Sequence, residues 1–185
     1  MQHSPLIERS LILLQALKAD YQTPILDLAC GNGRNGRYLV ENGINVNFAD
    51  VNGESLEVVE QSLNSLSTAQ QKLAQYWQVD LEQANSIPLE GKFFSAIIVF
   101  RYLHRPLFEQ LKAAVKPGGM IIYETFTQQQ AQFGRPKNPN FLLKSNELTE
   151  LFSDWKITHS FEGVISDPTS NTKQAIAQII AIKPE

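Results

Sequence analysis

The sequence has 185 residues, a length that fits one domain able to bury its own core and leaves no room for a separate substrate domain. Its formal net charge is −3, so no overall basic field recruits nucleic acid or a membrane surface. A single cysteine, Cys30, excludes an internal disulfide framework and a multi-cysteine metal site.

Near the N-terminus, Ser4-Pro5 supplies an N-cap and a first helical position. Ile7, Leu11, Leu14 and Leu17 follow at helical spacing, predicting an amphipathic helix that packs on a sheet beside a ligand entrance. Glu8, Arg9, Ser10 and Gln15 interrupt its apolar run, and no small-residue cleavage site follows. No run in the chain approaches the about 18 apolar residues of a membrane span, so the expectation is a cytoplasmic protein without membrane contact.

Residues 24–28 read as a first strand, followed by a glycine-rich turn and a helix from Arg34 that stops at Asn42-Gly43. Residues 45–50 alternate polar with apolar and end in Asp50, a second strand. Leu56, Val59, Leu63 and Leu66 mark a helix over 53–66 with one buried face, and 76–79 form a short third strand ending at Asp80-Leu81. Residues 94–100 are almost wholly apolar, as a central parallel strand covered on both faces should be. Leu107, Leu111 and Val115 give the next helix its inner stripe. Lys116-Pro117-Gly118-Gly119 then stops it before a fifth strand over 120–126. A polar segment over 127–144 precedes a short helix at 147–152. Two strands at about 156–164 and 174–182 close the chain, separated by a turn with Asp167-Pro168 and Ser170-Asn171. Alternating β and α elements predict a doubly wound α/β sheet with helices on both faces.

The glycines Gly31, Gly33 and Gly36 match G-x-G-x-x-G, the dinucleotide fingerprint. Asp27, at the end of the preceding strand, argues against a dinucleotide. A carboxylate there would repel pyrophosphate and favour a cationic ligand. On these residues the chain resembles the class I S-adenosylmethionine-dependent methyltransferases, with Ala29 where the first glycine of their motif often stands. Leu26-Asp27-Leu28-Ala29-Cys30-Gly31-Asn32-Gly33-Arg34-Asn35, with Tyr38-Leu39 and Asn42-Gly43, is similar to their TehB-like, tellurite-resistance branch. The Pro-Gly-Gly stop before the fifth strand belongs to the same pattern.

That resemblance implies a seven-stranded, mostly parallel Rossmann-like sheet with its last strand antiparallel. It also implies S-adenosylmethionine as cofactor, held by Asp27, Ala29, Cys30, Gly31, Gly33, Arg34, Asn35, Asp50, Val51, Asp80, Leu81, Phe100 and Arg101. Within that set Asp50 would take the ribose hydroxyls, and Asp80 with Leu81 would hold the adenine. The carbonyls of Phe100 and Arg101 would meet the methionine ammonium, and Arg34 and Asn35 its carboxylate. Cys30 reads as a small residue under the cofactor. No residue spacing suggests a metal.

Methyl transfer needs alignment more than a base, and none is evident. Arg101, His104 and Arg135 are the residues singled out for the acceptor side. Together with Arg105 and Lys137 they predict a basic cleft for a small anionic or soft-nucleophile acceptor. The TehB-like branch carries a His-Arg pair between its last two strands. Here that turn reads Val164-Ile165-Ser166-Asp167-Pro168, so the resemblance carries the cofactor further than it carries tellurite. Rival readings are methylation of tRNA or protein, a nicotinamide-dependent oxidoreductase, and a non-catalytic S-adenosylmethionine-binding module. A monomer or homodimer is expected.

Overall fold

The structure is a computed structural model, and it describes residues 2–166 and 172–185. Helix α1 (Pro5–Ala16) begins as its sequence demands, with the Ser4 hydroxyl accepting from the Leu6 N–H and Pro5 in the first turn. Strand β1 (Ile25–Leu28) leads into α2 (Arg34–Glu41), then β2 (Val46–Asp50) and α3 (Gly53–Leu63). A one-turn helix α4 (Thr68–Gln71), β3 (Ala74–Gln78) and β4 (Phe94–Phe100) follow. A 3-10 turn at Arg105–Leu107 opens α5 (Phe108–Ala114), which runs into β5 (Val115–Phe126). Helix α6 (Glu147–Leu151) and strands β6 (Lys156–Ser166) and β7 (Lys173–Ile182) complete the chain.

The seven strands form one sheet in the order β3-β2-β1-β4-β5-β7-β6. β7 runs antiparallel to both neighbours while β1 to β5 are parallel, the α/β architecture expected. One face packs Leu26, Leu28, Ile97, Val99, Ile121 and Tyr123 against α5 and α6. The other packs Ile25, Phe48, Ile98, Met120 and Ile122 against α1, α2 and α3. With both faces covered, every residue of β4 is buried, which is why that stretch reads as an unbroken apolar run.

Several boundaries depart from the sequence reading for identifiable reasons. Helix α3 stops at Leu63, where the hydroxyls of Ser62 and Ser65 turn back on the carbonyls of Val59 and Ser62. A Ser67/Gln70 capping box then starts α4, a helix whose S-x-x-Q signature was present in the sequence. β3 begins at Ala74 because its pairing with Val46 of β2 sets its start. The Lys116-Pro117-Gly118-Gly119 stop lies inside β5 as a register shift, with Val115 opposite Phe94 and Met120 opposite Ala96.

The polar segment over 127–144 is tied down rather than open. It holds 3-10 turns at Gln128–Gln132 and Pro139–Phe141, and Thr127 bridges to Leu143. Gln130 is buried, accepting from the Ala175 N–H at 2.8 Å and donating to the Arg135 carbonyl at 3.1 Å. Arg105 clamps the far end: its guanidinium grips both oxygens of Glu147, at 2.6 and 2.9 Å, and donates to the carbonyls of Asn140 and Leu142.

Where α2 crosses the sheet, Gly36 lies against the Phe48 ring. A Cβ there would overlap that ring and stand 2.7 Å from the Asp27 carboxylate. Gly36→Ala should therefore cost about 1–3 kcal/mol, read as a lower urea midpoint with an unchanged slope.

Candidate functional site

Register aligns the carboxyl ends of β1, β2 and β4: Leu28 sits between Ala49 of β2 and Val99 of β4. The turn from Ala29 to Gly33, the end of β2 at Asp50 and the end of β4 at Arg101 thus meet at one edge, where open α/β sheets bind ligands. Backbone conformation there is unusual. Ala29, Gly31, Gly33 and Arg101 all have φ between 52° and 65°, in the left-handed region. Ala and Arg pay for that conformation in backbone energy, and such strain gathers at functional sites.

Two carboxylates hold the turn. The Gly31 N–H donates to Asp50 Oδ2 at 2.8 Å, and the Gly36 N–H to Asp27 Oδ2 at 2.9 Å. The Asn52 N–H donates to Asp50 Oδ1 at 2.9 Å, so each Asp50 oxygen keeps a second lone pair for an incoming hydroxyl. A Cβ on Gly31 would meet nothing within 4 Å, leaving open space over the turn. Gly33 serves packing instead: a Cβ there would stand 2.6 Å from Val59 on α3. Val51 is 60% exposed beside Asp50, an apolar surface at the rim. Asp80 is exposed and caps its own turn through the Glu82 N–H, next to the buried Leu81. The buried Tyr102 Oη belongs to the same edge, beside the Glu82 carboxylate, which it meets without the geometry of a well-formed hydrogen bond. Burial first, then the negative charge of Glu82, Asp80 and Asp50, holds that hydroxyl protonated. These features fit an adenosyl ligand, with a diol for Asp50 and an apolar ring for Val51.

Other residues singled out from the sequence have different surroundings. Asp27 lies beneath the turn, 3% exposed, and does not face open solvent. Asn35 is buried and its Oδ1 accepts from the Ser4 N–H at 2.9 Å, fastening α1 to α2. Arg34 donates to the Gln2 carbonyl and lines a groove of about 460 Å³ between α2 and α3 with His3, Arg37 and Tyr38. Burial, then Asp27 and Asp50, pushes the Cys30 thiol far above its usual range, so it stays protonated. His104 stands 4.0 Å from Glu82. Arg135 is exposed.

The basic groups expected to share a cleft are separated and largely neutralised. Arg105 is committed to Glu147 on the α5–α6 face. Arg101 turns toward the opposite face, where its Nη2 lies 3.1 Å from Glu124 Oε1 on β5 and its guanidinium covers the Phe126 ring. Glu124 escaped the sequence reading. Its signal was a lone acid inside the buried run Met120-Ile121-Ile122-Tyr123-Glu124-Thr125-Phe126. The turn with Asp167-Pro168 and Ser170-Asn171, compared above with the His-Arg pair, lies outside the described residues.

Burial, opposed by the Gly36 hydrogen bond and Arg34 and reinforced by Asp50, pushes the Asp27 carboxyl up to about 7. The folded state therefore holds a proton that the unfolded chain loses near its ordinary value of 3.8. Stability from this group is complete below that value and is lost as pH rises toward 7. Wild type should lose on the order of 2–3 kcal/mol relative to Asp27→Asn between pH 5 and 7, several degrees in the difference of their Tm values. A constant difference across that range would show that Asp27 is ionised throughout.

Residues 9–172 match the family described as tellurite resistance protein TehB. Among solved structures the chain is similar to TehB from Haemophilus influenzae, with a TM-score of 0.73 and 22% identity over 98% of this chain and 62% of that one. It spans, then, less than two thirds of that protein's length. It is also similar to a SAM-dependent methyltransferase from Methanosarcina mazei, with a TM-score of 0.66 and 18% identity over 100% and 99% of the two chains. The N-methyltransferase NodS from Bradyrhizobium japonicum gives a TM-score of 0.64 and 13% identity over 98% of each. No curated protein matches the sequence. With a family match covering residues 9–172, most of its length, and a Rossmann-like sheet shared with these structures, the chain belongs to the tellurite resistance protein TehB family.

Proposed function

We propose that this chain transfers the methyl group of S-adenosylmethionine to a small acceptor bound beside the end of β4. The observation that carries the reading is Asp50. Two N–H donors lock its carboxylate at the carboxyl edge of the sheet, with unused lone pairs beside an exposed Val51. In this reading Asp50 takes the ribose hydroxyls, and Asp80 and Leu81 hold the adenine. The carbonyls of Phe100 and Arg101 receive the ammonium, and a cationic ligand over the turn would favour ionisation of the buried Asp27 carboxyl beneath it.

Held there by Asp50, Asp80, Leu81 and the Phe100–Arg101 carbonyls, the cofactor would supply an electrophilic methyl on sulfur for an acceptor nucleophile, with sulfur keeping the electron pair of the broken S–C bond. The protein's part is alignment and exclusion of water, for which about 7–11 kcal/mol is available without a dedicated base. The acceptor is a small anionic or soft nucleophile approaching by Arg101, His104 and Arg135. Because Arg101 is paired with Glu124 and Arg105 with Glu147, the positive charge of that side without an ion-pair partner among the described residues rests on Arg135 and Lys137. Tellurite is one member of this acceptor class.

Calorimetric titration with S-adenosylhomocysteine and with NADH tests the cofactor assignment. Asp50→Ala removes charge-assisted hydrogen bonds worth roughly 1.5–3 kcal/mol, so affinity for the adenosyl ligand should fall about ten- to a hundredfold. Tight NADH binding, or an unaltered affinity in the variant, contradicts the assignment. For the acceptor, Arg135→Ala should raise KM several-fold on the best anionic acceptor of a screen. Cofactor affinity should stay within about twofold of wild type.

A further inference from the structure

Glu124 is a carboxylate in the middle of the sheet, with its side chain 5% exposed, and nothing in the reading above uses it. Its two oxygens have separate partners: Arg101 Nη2 lies 3.1 Å from Oε1 as an ion pair, and Gln178 Nε2 donates to Oε2 at 2.6 Å. Gln178 is Glu124's cross-strand neighbour on β7, and its own Oε1 lies 3.1 Å from His159 Nε2 on β6. Arg101 is fastened at further points. Its backbone N–H donates to the Glu124 carbonyl at 2.8 Å, its Nη2 also reaches Gln174 Oε1 at 2.9 Å, and its guanidinium carbon sits 4.4 Å from the centre of the Phe126 ring. A buried ion pair of this kind contributes little net stability over an apolar pair of the same shape, so its use lies in the conformation it enforces.

That conformation is the left-handed Arg101, with φ of 60°, at the residue where β4 leaves the sheet. Phe100 pairs with Glu124 on one side, and one residue earlier Val99 pairs with Leu28, the last residue before the glycine turn. The Phe100–Arg101 peptide is thus set between β5 and the turn, and its orientation depends on where the Arg101 side chain is anchored.

We propose that Glu124 is a positioning residue for the amino-acid end of the cofactor, acting through Arg101. The assignment rests on the S-adenosylmethionine reading. Glu124 itself touches no ligand: by holding the guanidinium over Phe126 it fixes the left-handed turn, and so the direction of the carbonyls offered to the ammonium.

Two ligands separate this role from a general structural one. S-adenosylhomocysteine carries the amino-acid end, and 5′-methylthioadenosine has the same adenosyl and sulfur groups without it. Glu124→Gln should weaken S-adenosylhomocysteine about tenfold in calorimetric titration while 5′-methylthioadenosine stays within about twofold. Equal losses for both ligands, or no loss for either, overturn the proposal and leave the cofactor assignment standing. Wild type binding neither ligand removes the cofactor assignment and the proposal with it. Because Glu124→Gln takes the carboxylate from beside the partly exposed Arg101 guanidinium, a second variant, Arg101→Gln with Glu124→Gln, neutralises both groups. It should recover Tm yet keep the selective loss of S-adenosylhomocysteine, and wild-type affinity for that ligand in the double variant also overturns the proposal.

Discussion

The turn between β1 and α2 makes the chain leave a buried strand, reverse through left-handed residues and enter a helix while its backbone N–H groups find acceptors. Unpaired, those donors would each cost about 1–3 kcal/mol in a partly buried position. The two acids at the ends of neighbouring strands meet that demand, Asp27 from below through Gly36 and Asp50 from the side through Gly31. The arrangement fixes much else. Gly36 has no room for a side chain because Asp27 and Phe48 already fill the space. Helix α3 can press on Gly33, and Asp50 keeps its outward lone pairs because its inward ones are used. The strand ends become a preorganised edge that a ligand need not reshape.

The same turn shows how far the sequence can be read. Strand, glycines and helix were legible because their spacing is local, and the central strand was legible because burial on both faces leaves an unbroken apolar run. Which way each acid faces was not legible. Asp27 and Asp50 look alike as strand-end carboxylates, yet one is sealed under the helix and the other stands at the rim. The glycines likewise look equivalent in the motif, while Gly31 opens space and Gly33 and Gly36 permit close packing. That difference comes from Val59 and Phe48, which belong to other elements.

Charge balance on the acceptor side was the least legible feature, and the reason is sequence distance. Arg101, Arg105, His104 and Arg135 form a basic set when counted along the chain. In the fold Arg101 finds Glu124 and Arg105 finds Glu147, on opposite faces of the sheet. Neither pairing has a local signature, unlike the Ser67/Gln70 cap three residues apart. What remains is a strained strand end held by a buried pair.

A crystal structure of the chain with S-adenosylhomocysteine bound tests the central claim most directly. The account predicts both ribose hydroxyls within hydrogen-bonding distance of Asp50, the adenine over Val51 and Leu81, and the amino-acid end at the Phe100–Arg101 carbonyls. A ligand seated elsewhere, or Asp50 bonded only to the Gly31 and Asn52 N–H groups, would contradict it.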